Sequence, residues 1–581
     1  MVLWTTRTSG MDTLDLEASN GMRTASTKLT PRVAFALLYT LVLALGVALG
    51  VRIIVDGYSP VPHSDLWGLF PFIERGLRGD FGLSDLWAQW NEHRFFLARI
   101  QFLVDYRFFE GTNIYLFVSV ATSCLLLAGT FAAAVWFDAR DWLLTLGTLA
   151  VAGTSALPLA GVENLTLAVQ VQFVQVFLWA TVSILSVVMA TRSTVASRQA
   201  IGSGVAAIAA IAATYSLANG LLTWVVVVLL AVVLRLERRC TAALVIVGLV
   251  TTATYLWHFE FVRERSSDPV GLAHYVMLYL GAAPTPNPGS AAVVGAAGLM
   301  LLLLLCGVVW ADRVGRSILV PFGAGVSAFI ALTAAQTATG RLDLGVSQAL
   351  ASRYSIASYT FWLGLFVGFF PAVRKRLRSV PLAVPGYLAG AAVVALVISY
   401  SALPTSSQLR SFVVGRQATV VAYRAGVEDV SFSIPGLQFG PGVTSALRFM
   451  EREKLGPWSP GGMVDAMRVT GPSNRTDHEC LGQLDSKASV PGGSRLRGWI
   501  AARAGEASSP NLVVLDAAGR RTGLGLVGLH RPDIDHRGIA DPEWRGFVAY
   551  VGGKPTSPLE VILLADDGVN AVCRLRQAAD G

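Results

Sequence analysis

The residues able to do chemistry in this chain crowd into one polar insert, residues 56–113, set between its first two long apolar runs. Pro60-Val61-Pro62-His63-Ser64-Asp65-Leu66-Trp67 and Trp90-Asn91-Glu92-His93-Arg94 bring acids, imidazoles, a guanidinium and indoles together beside sequence suited to a bilayer. Charge held against a membrane is costly, so such a cluster marks a functional site by default. A carboxylate placed there can accept the proton of a hydroxyl nucleophile, and Asp65 follows directly on a Pro-Val-Pro segment that stiffens the chain. Glu92, His93 and Arg94 are contiguous, so on a helix they fan over about 200° and cannot all be hidden in one apolar contact. A second basic constellation, Gly340-Arg341 with Ser352-Arg353-Tyr354, is expected on the same side. Guanidinium bonds phosphate in a bidentate fashion, so Arg341 and Arg353 are candidates for an anionic head group.

The elements that must position these groups are helical spans. The chain has 581 residues, 53% of them hydrophobic and only 14% charged, with a mean hydropathy of +0.55. That composition is an integral membrane protein's. Runs of about 20 apolar residues, the length that crosses a bilayer as a helix, number about eleven between Val33 and Tyr400. Arg192 and Arg198, then Arg235, Arg238 and Arg239, then Arg313 and Arg316, then Arg374, Lys375, Arg376 and Arg378 fall on alternate connections. Cations in short loops stay on the cytoplasmic side, which puts the N-terminus inside and the insert outside. The insert reads as two amphipathic helices with a bend, Leu66 to Gly79 and Ser84 to Tyr106.

After Tyr400 the composition shifts to short apolar stretches bounded by Gly, Pro and Asp, the pattern of an antiparallel β domain, and its length of about 100 residues suits a β-sandwich. The organisation expected is a cytoplasmic segment at 1–32, a transmembrane domain at 33–400, an extracytoplasmic linker at 401–478 and an extracytoplasmic β-sandwich at 479–581. Cys480 and Cys573 lie near the two ends of that last domain, in a compartment that permits disulfides, and are expected to be bonded.

A long first extracytoplasmic loop with an acid soon after span one, interfacial helices, about a dozen spans and a trailing β domain resemble the GT-C superfamily of polyprenyl-phosphate-sugar-dependent glycosyltransferases. The resemblance rests on layout and on few residues. It implies a sugar moved from a polyprenyl phosphate to a glycan, lipid or protein hydroxyl at a bacterial inner membrane. It makes Asp65, followed by Leu66-Trp67-Gly68, the catalytic base, where many members carry two adjacent acids and this chain has one. Asp56, Asp80, Asp85 and Glu92 are the rivals. Glu92, His93 and Arg94 would position the acceptor, and Arg341, Arg353 and Tyr354 the donor. Metal-dependent and metal-free members both exist, which leaves a divalent metal open; the chain shows neither His at i, i+4 nor CxxC.

Bland readings stand beside these. Each arginine can be an interfacial anchor reaching toward water. Gln170, Gln172 and Gln175 form a stripe that either lines a path or bonds neighbouring helices. His258, Glu260, Arg263, Arg265 and His274 could rim a site, and Trp499 reads as a core indole more readily than as a sugar platform. The net charge of +8 sits largely in the cytoplasmic connections, so nucleic acid is not implied. A transporter or flippase of lipid-linked saccharide, or a non-catalytic glycan-binding scaffold, are the alternative functions. The first needs charge at mid-membrane, whereas this chain concentrates it at one face.

Overall fold

A computed structural model describes residues 30–261, 266–285, 287–311, 317–429, 440–466, 478–502, 510–534, 539, 544–554, 558–565 and 570–576. Arg263, Arg265, Arg313, Arg316 and most of the expected N-terminal segment lie outside them. The architecture is mostly helical with one sheet at the C-terminal end. In chain order come α1 (Pro31–Asp56), the insert helices α2 (Asp65–Gly68), α3 (Phe70–Arg78), α4 (Leu83–Trp87) and α5 (Phe96–Phe108), then α6 (Ile114–Ala139), α7 (Trp142–Ala156), α8 (Val162–Thr166), α9 (Val171–Thr191), α10 (Ala196–Thr214), α11 (Leu222–Val233), α12 (Arg238–Leu256), α13 (Pro269–Gly281), α14 (Pro288–Ala311), α15 (Leu319–Arg341), α16 (Ser355–Leu377) and α17 (Ala383–Ser401).

Among the described residues nine helices, α1, α6, α9, α10, α12 and α14 to α17, are long and apolar enough to cross a membrane, while α7 and α11 are apolar but shorter. This is a multi-pass membrane architecture. Pro opens α1, α13 and α14, where its missing N–H is one the helix start leaves unbonded anyway. Helices α15 and α16 approach closely at Gly323, where an added Cβ would meet the Gly364 carbonyl oxygen at 2.3 Å, the small-residue contact that packs helices in lipid.

The connections sort onto two faces as the charge pattern predicts. On one, Asp138 accepts from Ser317 Oγ at 2.8 Å and Arg32 pairs with Asp141 at 3.2 Å. On the other, here the insert side, Leu97 N–H donates to Tyr215 O at 3.2 Å and Asn164 Nδ2 to Arg353 O at 2.8 Å. Helix α13 sits in the stretch expected as a plain loop between His258 and Pro288; its face bearing Tyr275, Leu278 and Tyr279 is buried against the bundle.

The segment expected as a linker is a strut. Helix α18 (Ser406–Arg424) starts with a capping box, Thr405 Oγ1 accepting from Gln408 N–H at 3.2 Å and Gln408 Oε1 from Thr405 N–H at 3.1 Å. Its Arg416, 2% exposed, donates to Gly57 O at 2.6 Å, to Phe412 O at 3.1 Å and to Thr166 O. Helix α19 (Gly440–Glu453) then packs over the insert, with Phe449 edge-on to Phe70.

The β domain has strands β1 (Leu481–Val490), β2 (Gly493–Ala501), β3 (Asn511–Leu515), β4 (Arg521–Leu529), β5 (Gly546–Gly552), β6 (Glu560–Leu564) and β7 (Ala571–Arg576), all antiparallel in the order β1-β2-β5-β4-β3-β6-β7. Among the described residues this is one curled sheet, not the two packed sheets of the expected sandwich. One face rests on α18 through Val414, Ala418 and Val421, and the other encloses Leu496, Ile500, Phe547 and Leu563. Alternation along β2 places Trp499 opposite to Ile500 and only half-buried, so it is no core indole. Arg531 pairs with Asp533 at 2.7 Å and with Asp485, a structural ion cluster. The expected disulfide is formed: Cys480 and Cys573 are bonded across a separation of 93 residues. It joins the sheet's two edge strands, where Cys480 N–H also donates to Arg574 O at 2.9 Å, so neither edge is left open to a foreign strand there.

Replacing both cysteines by serine in the full chain is expected to destabilise the β domain by about 2–5 kcal/mol. The measurement is limited proteolysis across a denaturant series, and an unchanged midpoint would remove the staple from the stability account.

Candidate functional site

The insert does not place Glu92, His93 and Arg94 on a helix. The chain turns back at Asn91, whose φ is 51°, and closes a tight bridge in which Trp90 N–H donates to His93 O at 2.8 Å and His93 N–H to Trp90 O at 3.0 Å. Asn tolerates that left-handed conformation better than a branched residue would. The turn splays the three side chains that a helix would have fanned. Arg94 points back into protein, and its guanidinium donates to the carbonyls of Tyr255 at 2.7 Å, Trp87 at 2.6 Å and Trp257 at 2.5 Å. It is 4% exposed and holds the turn against the end of α12, so its expected role at a ligand is replaced by a structural one.

Glu92 and His93 face the other way, into a cavity of about 290 Å³ between the insert and the insert-side ends of α9, α11, α12 and α15. Part of its lining is apolar, with Phe173, Phe177, Leu217, Phe259 and Phe261. The polar part comprises Glu92, His93, Asn219, Thr333, Gln336, Thr337, Arg341 and Tyr354. Among the described residues neither the Glu92 carboxylate nor the Arg341 guanidinium has a hydrogen-bond or ion-pair partner, so both charges are available to a ligand. His93 stacks on Phe95 with ring centroids 5.4 Å apart, and its Nδ1 accepts from Ala218 N–H at 3.4 Å. Burial first, and the nearby Arg341 charge second, push the imidazole down to about 3. The neutral ring, accepting at Nδ1, carries its proton on Nε2, where it can donate into the cavity.

The other expected site residues fall elsewhere. Asp65 starts α2, half-buried, and does not line this cavity. It is flanked by His63 and Trp67, whose Nδ1 and Nε1 are buried without hydrogen bonds, and the next turn, at Gly68, lies against the Trp90 indole. Burial and then the Arg416 charge push His63 down to about 4. Arg353 is spent on Glu163 at 2.8 Å and Gln348 at 3.3 Å, bridging the short loops between α7 and α9 and between α15 and α16. Tyr354 follows with its ring against Tyr279, 5.0 Å between centroids. Of the rival acids, Asp56 pairs with Arg52 at 3.2 Å, and Asp85 caps α4, held below the usual carboxylate range by the Gly82 N–H and then by Arg75 at 2.6 Å.

Sequence reading missed Asn219, Thr333, Gln336 and Thr337. The available signal was the spacing on α15: Thr333, Gln336, Thr337 and Arg341 recur at i, i+3, i+4 and i+8, one polar face on an otherwise apolar span. It also missed Asp105, which is fully buried and accepts from Asn113 N–H at 3.1 Å at the start of α6; burial pushes its carboxyl up to about 7. Of the amide stripe, Gln175 exchanges hydrogen bonds with Gln101 at 2.8 and 3.0 Å, whereas the buried Oε1 atoms of Gln170 and Gln172 have no hydrogen-bond partner. Among the described residues no group of three or more His, Cys, Asp or Glu could hold a metal ion.

The depressed His93 value fixes a pH dependence. The unfolded ring has its ordinary value of 6.5. As pH falls below that value the unfolded chain binds a proton the folded chain refuses. Stability is therefore lost progressively from about pH 6.5 down toward 3, by up to about 1.4 kcal/mol per pH unit. Denaturation midpoints of His93→Gln against wild type between pH 7 and 5 should show a flatter slope in the variant; His63, buried in the same sense, keeps its own share in both. Parallel slopes would mean that His93 is protonated in the folded protein.

The chain matches no protein-family model, no curated protein and no solved structure.

Proposed function

We propose that this chain is a membrane-embedded glycosyltransferase that moves a sugar from a polyprenyl phosphate to a hydroxyl acceptor on the far side of a bacterial inner membrane, with the insert and the β domain extracytoplasmic. In this reading α7 and α11 also cross, which brings the spans to eleven. The observation that carries the proposal is one cavity lined both by the rings of Phe173, Phe177, Phe259 and Phe261 and by an unpaired carboxylate, a neutral imidazole and an unpaired guanidinium. An isoprenoid chain suits the first, a sugar phosphate the second.

An acceptor hydroxyl attacks the anomeric carbon, its proton passes to the Glu92 carboxylate, and the bond from that carbon to the phosphate oxygen breaks. The electron pair leaves on the polyprenyl phosphate, whose added charge faces Arg341. His93, neutral and donating from Nε2, holds a ligand oxygen without adding charge. Glu92 replaces Asp65 as base in this scheme because it lines the cavity and Asp65 does not. Of the amide stripe that the transporter alternative would use as a path, Gln175 is bonded across helices.

The test is incubation of the purified protein in bilayers with a panel of polyprenyl-phosphate sugars and membrane-extracted acceptors, wild type beside Glu92→Gln and Asp65→Asn. Glu92→Gln should cut turnover roughly 10²–10⁴-fold. Undiminished turnover in Glu92→Gln removes it as base, and absence of product from every donor overturns the enzymatic reading.

A further inference from the structure

The depth of the cavity's polar wall says more about the ligand than the charges at its mouth do. On α15 the polar face runs from Arg341 to Thr333, eight residues, or about 12 Å along the helix axis. At the far end Asn219 meets it. Asn219 is 7% exposed, and its amide nitrogen reaches Thr333 Oγ1 at a long 3.4 Å, while its amide oxygen has no hydrogen-bond partner at all. It lies on the short 3-10 segment Ala218–Leu221 between α10 and α11, and there an added Cβ on Gly220 would meet Ala213 O at 2.0 Å.

A buried amide oxygen left without a donor is a standing cost to the fold. A bare lipid phosphate bound at Arg341, its hydrocarbon on the aromatic lining, offers Asn219 no donor and leaves that cost standing. A head group that places a hydroxyl about one sugar's length from its phosphate removes it. We infer that Asn219 is a specificity-determining residue, whose amide oxygen accepts a hydrogen bond from a hydroxyl on the sugar of a lipid-linked sugar phosphate anchored at Arg341. This rests on the proposed function and adds the part of the ligand that is read: a free hydroxyl distal to the phosphate. A deoxy sugar lacking that hydroxyl, or an unglycosylated lipid phosphate, gains nothing from Asn219. Discrimination of this kind is large because the site's own polar atom is left unpaired by the wrong ligand.

Binding separates the two claims without any assay of turnover. The full-length protein in nanodiscs is titrated with farnesyl phosphate and with a set of farnesyl phosphoryl hexoses, each hexose also in its monodeoxy forms. Wild type should bind at least one hexose probe about 10- to 100-fold tighter than farnesyl phosphate, with one monodeoxy form losing that gain. Asn219→Leu should abolish the gain and leave farnesyl phosphate binding unchanged, whereas Arg341→Ala should weaken both probes. Thr333→Val, which keeps the side chain's shape and removes the hydroxyl beside the amide, serves as the second variant should Asn219→Leu not fold, and should reduce the same gain. Equal binding of sugar-bearing and bare probes by wild type, or equal loss of both in Asn219→Leu, overturns the inference while a lipid-phosphate site survives. Absence of binding by either probe overturns the proposed function itself.

Discussion

Helices that end at a bilayer surface leave their last carbonyls without partners, and in this protein guanidinium groups supply them. Arg94 donates to carbonyls at the ends of α4 and α12, Arg416 to the last carbonyl of α8 and the residue capping α1, and Arg99 to Ala88 O at 3.2 Å beyond α4. A cation there meets both the orphan acceptors and the negative end of the helix dipole. Each of these arginines is nearly inaccessible to solvent. Removing one would strand two or more buried acceptors at once, which is why the insert, the bundle and α18 hold one geometry.

That use of arginine explains the shape of the site. With Arg94 and Arg416 on main-chain oxygens and Arg353 on Glu163, the cation left over at the cavity is Arg341, unpaired because the carboxylate nearest it in function, Glu92, bonds to nothing among the described residues.

Much of this was legible in the chain. The spans follow from apolar run length, the alternation of the two faces from the positions of Arg and Lys, and the disulfide from where two cysteines fall in a β-rich tail. The cavity residues Glu92, His93, Arg341 and Tyr354 were legible as polar groups beside the membrane. What escaped depends on contacts that sequence does not carry. Contiguous Glu92-His93-Arg94 looks alike on a helix or a turn, and the turn, set by Asn91, sends Arg94 away. Arg353 and Arg341 are indistinguishable by composition until Glu163, nearly two hundred residues earlier, is seen beside one of them. Asn219 sits in a short uncharged connection whose composition singles nothing out. The curled sheet escaped because strand spacing is the same in one sheet as in two.

The strut α18 has a structural corollary. Its one face carries Arg416 into the bundle and its other carries Val414, Ala418 and Val421 into the sheet. One helix thereby ties the sheet to Gly57, the residue from which the insert departs. Cutting the chain after Tyr400 would strip the carbonyls of Gly57 and Thr166 of their guanidinium partner, so the tail is a keystone of the bundle and not merely a passenger.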